Sequence, residues 1–309
     1  MDSLAASNEA ITQARPARWF RRHARAGCAG IDIGADRVRL AMLRRRRGKL
    51  CVERLAEQPL GADACGGDGQ LGDIGLAAQA CRGLLRKHAP EAGAIVVAIP
   101  AAAAISTRLI LPASSSPPQR LAQVRAELAA HGLPLDSLAL DYRVLGPAPA
   151  SPSDVLVLAL CAPSLMAEDR LALAGSLELP LRAMPVDGWC VAAFLRTHET
   201  DAVLHLGAAC WLSRRPHECL PLRWRAAIPA AIPALLHELA PLLHPAPRRL
   251  LLTGPHPGLG NIAAALGKYA GLAAVVAAPR IDAAFAATLP APALAPFHCA
   301  LALAAEGLA

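Results

Sequence analysis

The chain has 309 residues, 54% hydrophobic, 18% charged and 3% aromatic, enough for a real core in one large or two smaller domains, which excludes a disordered chain or disulfide scaffold. Four Phe, four Trp and two Tyr are too few for a base-stacking platform on single-stranded nucleic acid, and no unbroken apolar run reaches the ~18 residues of a membrane-spanning helix. The basic excess of 31 over 24 is local, since residues 1–54 hold 13 basic and 5 acidic side chains; this predicts a basic N-terminal surface rather than a uniformly basic nucleic-acid binder.

Residues 1–27 read as a flexible basic arm, in which Arg15, Arg18, Arg21, Arg22 and Arg25 surround Trp19 and Phe20. That pattern suits either a solvated tail or a contact with acidic headgroups. No apolar stretch of secretory type follows Met1, so the expected compartment is the cytoplasm. Strands are predicted at Cys28–Gly34, Val38–Leu43 and Leu50–Leu55, with the Arg44–Lys49 run as a solvated hairpin tip. A glycine-rich loop from Gly61 leads to a helix over Ile74–His88, where Leu76, Ala80, Leu84 and Leu85 keep helical spacing. Ala94–Ile99 is a short buried strand ending at Pro100.

A second block opens with a strand at Ile105–Leu111 and breaks at Ser114–Pro118, which starts a helix to His131 with Gly132 as its stop. Strands at Leu138–Leu145 and Asp154–Cys161, a helix at Leu165–Leu177, a strand at Leu181–Val186 and a helix at Gly188–His198 follow. Apolar strands alternating with helices predict an α/β sheet covered on both faces. The last third then repeats the opening theme: strands at Ala202–Leu206, Cys210–Ser213 and Cys219–Trp224, a helix near Ile232–Leu243, the strand Arg249–Thr253, a turn at Gly254–Gly260 and a helix to Ala270. We read this as a divergent internal duplication. The nine cysteines are scattered, with no C-x-x-C pair, and predict small buried hydrophobes rather than a metal site or thiol catalysis.

The fragment Gly30-Ile31-Asp32-Ile33-Gly34-Ala35 is a strand and glycine turn with a carboxylate inside the strand. It resembles the phosphate-binding hairpin of the actin and sugar-kinase class, where backbone N–H groups meet phosphates and the carboxylate reaches metal-bound water. The ordered set Ala98-Ile99-Pro100, Ile105 to Ala113, the helix with Arg125 and Glu127, Leu140-Asp141-Tyr142-Arg143, Pro185-Val186-Asp187 and Thr253-Gly254 resembles the type IV pilus assembly protein M (PilM) family from about Cys28 to Gly307. The resemblance implies an actin-like, duplicated ribonuclease-H-like α/β fold with an inserted α/β subdomain and a reduced second half. It divides the chain into the arm at 1–27, a first actin-like subdomain at 28–112, an inserted subdomain at 113–180, and a second subdomain with a C-terminal helix at 181–309. It also implies a cytoplasmic scaffold at the inner-membrane face that binds the N-terminal tail of an inner-membrane pilus protein, PilN-like.

The nucleotide loops that the resemblance implies are Asp32, Gly34 and Ala35 in the first half, with Gly207 and Gly254 in the second, for ATP and Mg. Each departs from the family pattern. Ala35 lacks the usual hydroxyl. His205-Leu206-Gly207 replaces an acidic loop, and a largely neutral imidazole supplies no charge for magnesium. Gly254-Pro255-His256 replaces a glycine triplet, and proline removes an N–H. The short span from Gly207 to Arg248 omits a subdomain that helps clamp the base, which predicts an opened cleft. Two readings follow: a binding scaffold with a degenerate nucleotide site, or a Mg-dependent actin-like ATPase of pilus assembly or cell division. A sugar or acyl kinase lacks both a substrate base and a second acidic loop. Each residue also has a plain structural role available: Asp32 bonded to backbone donors, His205 as a core histidine, and glycines that serve only tight turns.

Overall fold

The computed structural model describes residues 27–215, 217–223, 232–279, 281 and 291–309. The arm with Trp19 and Phe20, and Trp224 at the end of a predicted strand, lie outside these. β1 (Gly27–Ile33), β2 (Arg37–Arg46) and β3 (Lys49–Pro59) form an antiparallel meander. Its second turn is two residues long, with Arg47 at φ 50° and Gly48 at φ 80°, the left-handed pair that suits a twisted hairpin. β4 (Ala92–Val96) and β8 (Leu181–Ala183) join in parallel, giving the order β3-β2-β1-β4-β8.

β9 (Ala202–His205), β10 (Cys210–Ser213), β11 (Leu220–Leu222), β12 (Leu250–Thr253) and β13 (Ala274–Val276) repeat the plan as β11-β10-β9-β12-β13. Three antiparallel strands with parallel strands beyond the first of them recur in both halves, so the expected duplication is present. A third sheet, β5-β7-β6, comprises β5 (Ile105–Pro112), β6 (Leu138–Ala148) and β7 (Ser151–Pro163).

Strand pairing moves two of the expected boundaries. β5, expected in the first subdomain, pairs along its length with β7 of the inserted sheet, and β8, expected to open the second subdomain, pairs with β4. The physical reason is that a sheet is completed by hydrogen bonds between strands distant in sequence, which a linear reading divides by breakers instead.

The helix α1 (Ile74–His88) begins where the Asp73 carboxylate accepts from the Leu76 N–H at 3.0 Å and ends on Arg86, Lys87 and His88, which suit the negative end of the helix. It buries Cys81, Leu84 and Leu85 on the first sheet, each leucine contributing about 1.5–3 kcal/mol. α2 (Pro117–Ala130) covers one face of the third sheet through Val124 and Leu128, against Leu109, Leu111 and Val157. α3 (Ser164–Ser176) packs on α1.

In the second half, α5 (Ile232–Leu242) and α6 (Leu259–Ala270) bury Leu235, Leu239, Ile262 and Leu266 against the second sheet. The short α7 (Ala291–Leu294) precedes α8 (His298–Glu306). α8 and α4 (Asp187–Leu195) fill the space between the two main sheets, joining Val96, Val191 and Leu195 to Val203, Leu251 and Leu303. α8 lies so close on β1 that a Cβ at Gly30 would run into the Ala300 carbonyl, so glycine is the residue that permits this contact. No helix among the described residues is long and apolar enough to cross a membrane.

Candidate functional site at the junction of the two halves

Residues at the C-terminal ends of β1 and β9 line one cleft of about 100 Å³. Four of the five residues singled out in the sequence line it, namely Asp32, Gly34, Ala35 and Gly207; the fifth, Gly254, is represented by its neighbour Pro255. The folded chain thus brings together loops more than 170 positions apart, as a duplicated fold requires.

Each glycine has a local job. The Gly34 N–H donates to the Arg37 carbonyl at 2.9 Å, closing the first turn. Gly254 sits at φ 109°, and a Cβ there would run into the Leu206 carbonyl. That carbonyl accepts from His256 N–H at 3.3 Å, and the Leu206 N–H donates to Thr253 O at 2.9 Å, so the turn is stitched directly to the end of β9. At Gly207 a Cβ would approach His205 Nε2 to 2.8 Å and Pro255 to 3.3 Å.

Two carboxylates flank the cleft. Asp32 is raised above its ordinary value by burial, opposed by the charge of Arg39 and by a hydrogen bond with Cys299. Asp187, the first residue of α4, is pushed up to about 7, chiefly by burial. Its Oδ1 accepts from the Ala101 N–H at 2.7 Å and the Gly188 N–H at 2.5 Å, and these bonds work against that rise. Cys299 is pushed well above its ordinary value by burial and then by Asp32, which makes it a poor nucleophile.

The space between is taken by side chains. Arg39 stands opposite Asp32 in the β1–β2 ladder, is 5% exposed, and pairs with Glu57 at 3.3 Å. A Cβ on Gly34 would lie 3.6 Å from its Nη1, so the guanidinium sits against the first glycine turn. In the second half, His205 and Trp211 are likewise ladder partners, their rings stacked at 5.0 Å and 5°. His205 is pushed down to about 4 by burial first and Arg39 second, so its imidazole is neutral at pH 7. Guanidinium, indole and proline thus line the cleft between the loops of the two halves.

Sequence reasoning missed Arg39, Asp187, Trp211 and Cys299 as site residues. A signal existed for the first: with the hairpin drawn in register about a two-residue Ala35-Asp36 turn, Arg39 falls opposite Asp32. It also missed Arg170, 2% exposed, whose guanidinium donates to the carbonyls of Ala98 at 2.6 Å, Gly69 at 2.6 Å and Met166 at 3.4 Å. Arg170 bolts the glycine-rich loop to β4's exit and to α3. Among the described residues, no group of three or more His, Cys, Asp or Glu side chains is placed to hold a metal ion.

A second cavity, about 280 Å³, lies on α4 and the segment after it, lined by Trp189, Ala193, Arg196, His198, Glu199 and His217 among others. Trp189 and His217 meet edge to face at 5.4 Å. The Ser106 hydroxyl of β5 donates to the His217 carbonyl at 3.5 Å, so the open face of the third sheet borders this cavity. His217 is pushed down by burial and by the charges of Arg143, Arg108 and Arg196, and Ile110 on that open face is 57% exposed.

The family described as Type IV pilus assembly protein PilM matches residues 30–201, more than half of the chain. Among solved structures the chain is similar to one titled PilM-PilN type IV pilus biogenesis complex, at 19% identity and a TM-score of 0.75, covering 92% of this chain and 99% of that one. It is also similar to the ethanolamine utilization protein EutJ from Carboxydothermus hydrogenoformans, at 10% identity and a TM-score of 0.52, covering 89% and 88%. At these identities the likeness establishes the actin-like fold. No curated protein matches.

Proposed function

The chain belongs to the type IV pilus assembly protein PilM family, and from that premise we propose that it is a cytoplasmic scaffold of pilus assembly. It holds the N-terminal tail of a PilN-like inner-membrane protein and does not turn over nucleotide. The observation that carries this reading is the contrast between the two cavities. Pockets for drug-sized ligands run to roughly 300–1,000 Å³. The cleft between the halves measures about 100 Å³, whereas the cavity at Trp189 measures about 280 Å³ and opens beside the inserted sheet. The fold likeness to a PilM bound to PilN supports the same partner.

ATP and Mg fit the cleft poorly. The guanidinium of Arg39 already supplies a cation beside Asp32, and neutral His205 stands where the second loop would need a carboxylate. Asp32 and Asp187 are the observation in favour of the second reading, a Mg-dependent ATPase, since both carboxylates border the cleft.

The tail docks at the Trp189 cavity by apolar burial of the indole face, with Arg196 and Glu199 fixing the peptide backbone and its polar groups. The test is fluorescence anisotropy with a labelled N-terminal peptide of the neighbouring inner-membrane protein. Binding is expected, weakened about tenfold or more in Trp189→Ala. No binding at high micromolar peptide sinks the scaffold reading. A rise in melting temperature with millimolar Mg-ATP, which a ligand preferring the folded state must cause, revives the ATPase.

A further inference from the structure

We propose that His217 gates the Trp189 cavity: its imidazole, carried on the segment between β10 and β11, holds the indole covered and must swing aside before an extended peptide can bury that indole. The inference rests on the peptide-docking reading for the occupant and on the geometry of the cavity for the gate.

The cavity is assembled from both halves of the chain. Trp189 and Ala193 stand on α4 and Arg196 just after it, whereas His217 comes from the second half. Both ends of the His217 segment are fastened to α4 or its end. Arg196 Nη2 donates to the Ser213 carbonyl at 3.3 Å and hydroxyl at 3.0 Å, and Cys219 Sγ sits so close to Gly188 that a Cβ there would lie 2.5 Å from it. The middle is held differently. His217 has φ 59°, a left-handed conformation that a residue with a Cβ adopts only at a cost. Its imidazole meets the indole edge to face at 5.4 Å, and the Ser106 hydroxyl donates to its carbonyl at 3.5 Å, a long bond. Firm anchors on either side of a strained residue allow the ring to move without parting the two halves.

The charges around the ring give the gate a direction. Burial, then Arg143 of β6, Arg108 of β5 and Arg196, disfavour a protonated imidazole where it stands. His198 and Glu199 line the same cavity, Glu218 is next in the chain, and Asp187 lies two residues before Trp189 on α4. A ring swung into water leaves the three guanidinium groups behind, so the open form takes up a proton near the ordinary value of 6.5 and the closed form does so only at lower pH. Acid therefore opens the gate. The apparent affinity of the cavity is its intrinsic affinity reduced by the fraction of open molecules, so anything that removes the ring or favours its outward position strengthens binding.

The experiment makes two measurements on the full chain. Anisotropy with the labelled N-terminal peptide compares the parent with His217→Gly, in which glycine keeps the left-handed backbone and the ring is gone. The variant is expected to bind about two- to tenfold more tightly at pH 7.5, the span of one aromatic pair. The parent gains affinity on going to pH 5.5, by at most about tenfold for one proton, and the variant lacks that gain. Acrylamide quenching of Trp189, taken as the difference between each form and its Trp189→Phe counterpart, reads the gate without peptide. It is expected to rise from pH 7.5 to pH 5.5 in the parent and to be high at both values in His217→Gly. Equal or weaker peptide binding by His217→Gly overturns the gate and makes the imidazole part of the binding wall; quenching in the parent that ignores pH overturns it too. If neither form binds peptide while quenching behaves as expected, the gate stands and the peptide-docking reading falls.

Discussion

Asp32 and Arg39 are direct partners across the β1–β2 ladder, so the carboxylate that an actin-like cleft would turn toward a metal faces a covalently tethered cation instead. His205 and Trp211 occupy the matching relationship in the second half. Each half thus carries its own cross-strand pair at the cleft, one charged and one aromatic.

Replacing Arg39 with Met leaves Asp32 buried without its opposing charge. Burial already raises Asp32 and Arg39 lowers it, so the variant shifts that carboxyl further up. Leaving a buried charged group short of its partner costs roughly 1–3 kcal/mol, and because a carboxyl raised further in the folded chain makes stability fall further as pH climbs, the loss is greater at pH 8 than at pH 5. Urea midpoints at the two pH values read this directly; equal losses would show that Arg39 acts only through Glu57.

Asp187 gives the folded chain a pH slope of its own. Its value rises from 3.8 to about 7, so between those limits the folded chain holds a proton that the unfolded chain has released. Stability from this group therefore falls as pH climbs through that window and is level above it. Asp187→Asn keeps an oxygen for the Ala101 and Gly188 N–H groups and removes the slope. The variant is expected to be more stable than the parent at pH 8, by urea midpoint, and close to it at pH 4.

His205 and His298 act in the opposite sense. Burial pushes them down from 6.5 to about 4 and about 3, so below 6.5 the unfolded chain takes up protons that the folded histidines refuse. Their contribution is complete above 6.5 and is lost as pH falls toward 4 and 3. In His298→Asn the amide replaces Nδ1 as partner of Thr253 Oγ1, now 2.8 Å away. Stability of this variant should decline less between pH 6.5 and pH 4 than that of the parent; an unchanged decline would remove His298 from the account.

Arg170→Met strips the Gly69 and Ala98 carbonyls of their donor and releases the glycine-rich loop. Leaving a buried carbonyl without its donor costs about 1–3 kcal/mol. Hydrogen exchange should rise first at residues 66–72, followed by loss of the global transition; a variant as stable as the parent would show that the loop holds itself.

Gly254→Ala should destabilise by about 1–3 kcal/mol, through left-handed strain and the clash with the Leu206 carbonyl. The size of the drop is expected to be the same with or without Mg-ATP. A drop that Mg-ATP reverses would make this glycine a nucleotide contact.

The strand, turn and helix pattern was legible because local chemistry writes it: Asp73 before α1, Ser116 with Gln119 before α2, and the Arg47-Gly48 turn each satisfy backbone groups within a few residues. The cleft was half legible. Asp32 and the three glycines stand in short recognisable loops, whereas Asp187, Trp211 and Cys299 belong to the site only because α4, β10 and α8 converge on it.

The sequence by itself determined the duplicated α/β plan, the basic first 54 residues and the loops that line the cleft, since periodicity, charge and turn residues act over a few positions. Tertiary structure alone decided that Arg39 and the His205–Trp211 stack line the cleft, and that β5 and β8 pair across the expected boundaries. Those outcomes depend on pairings between residues tens to hundreds of positions apart, whose energies come from register, burial and side-chain volume in three dimensions.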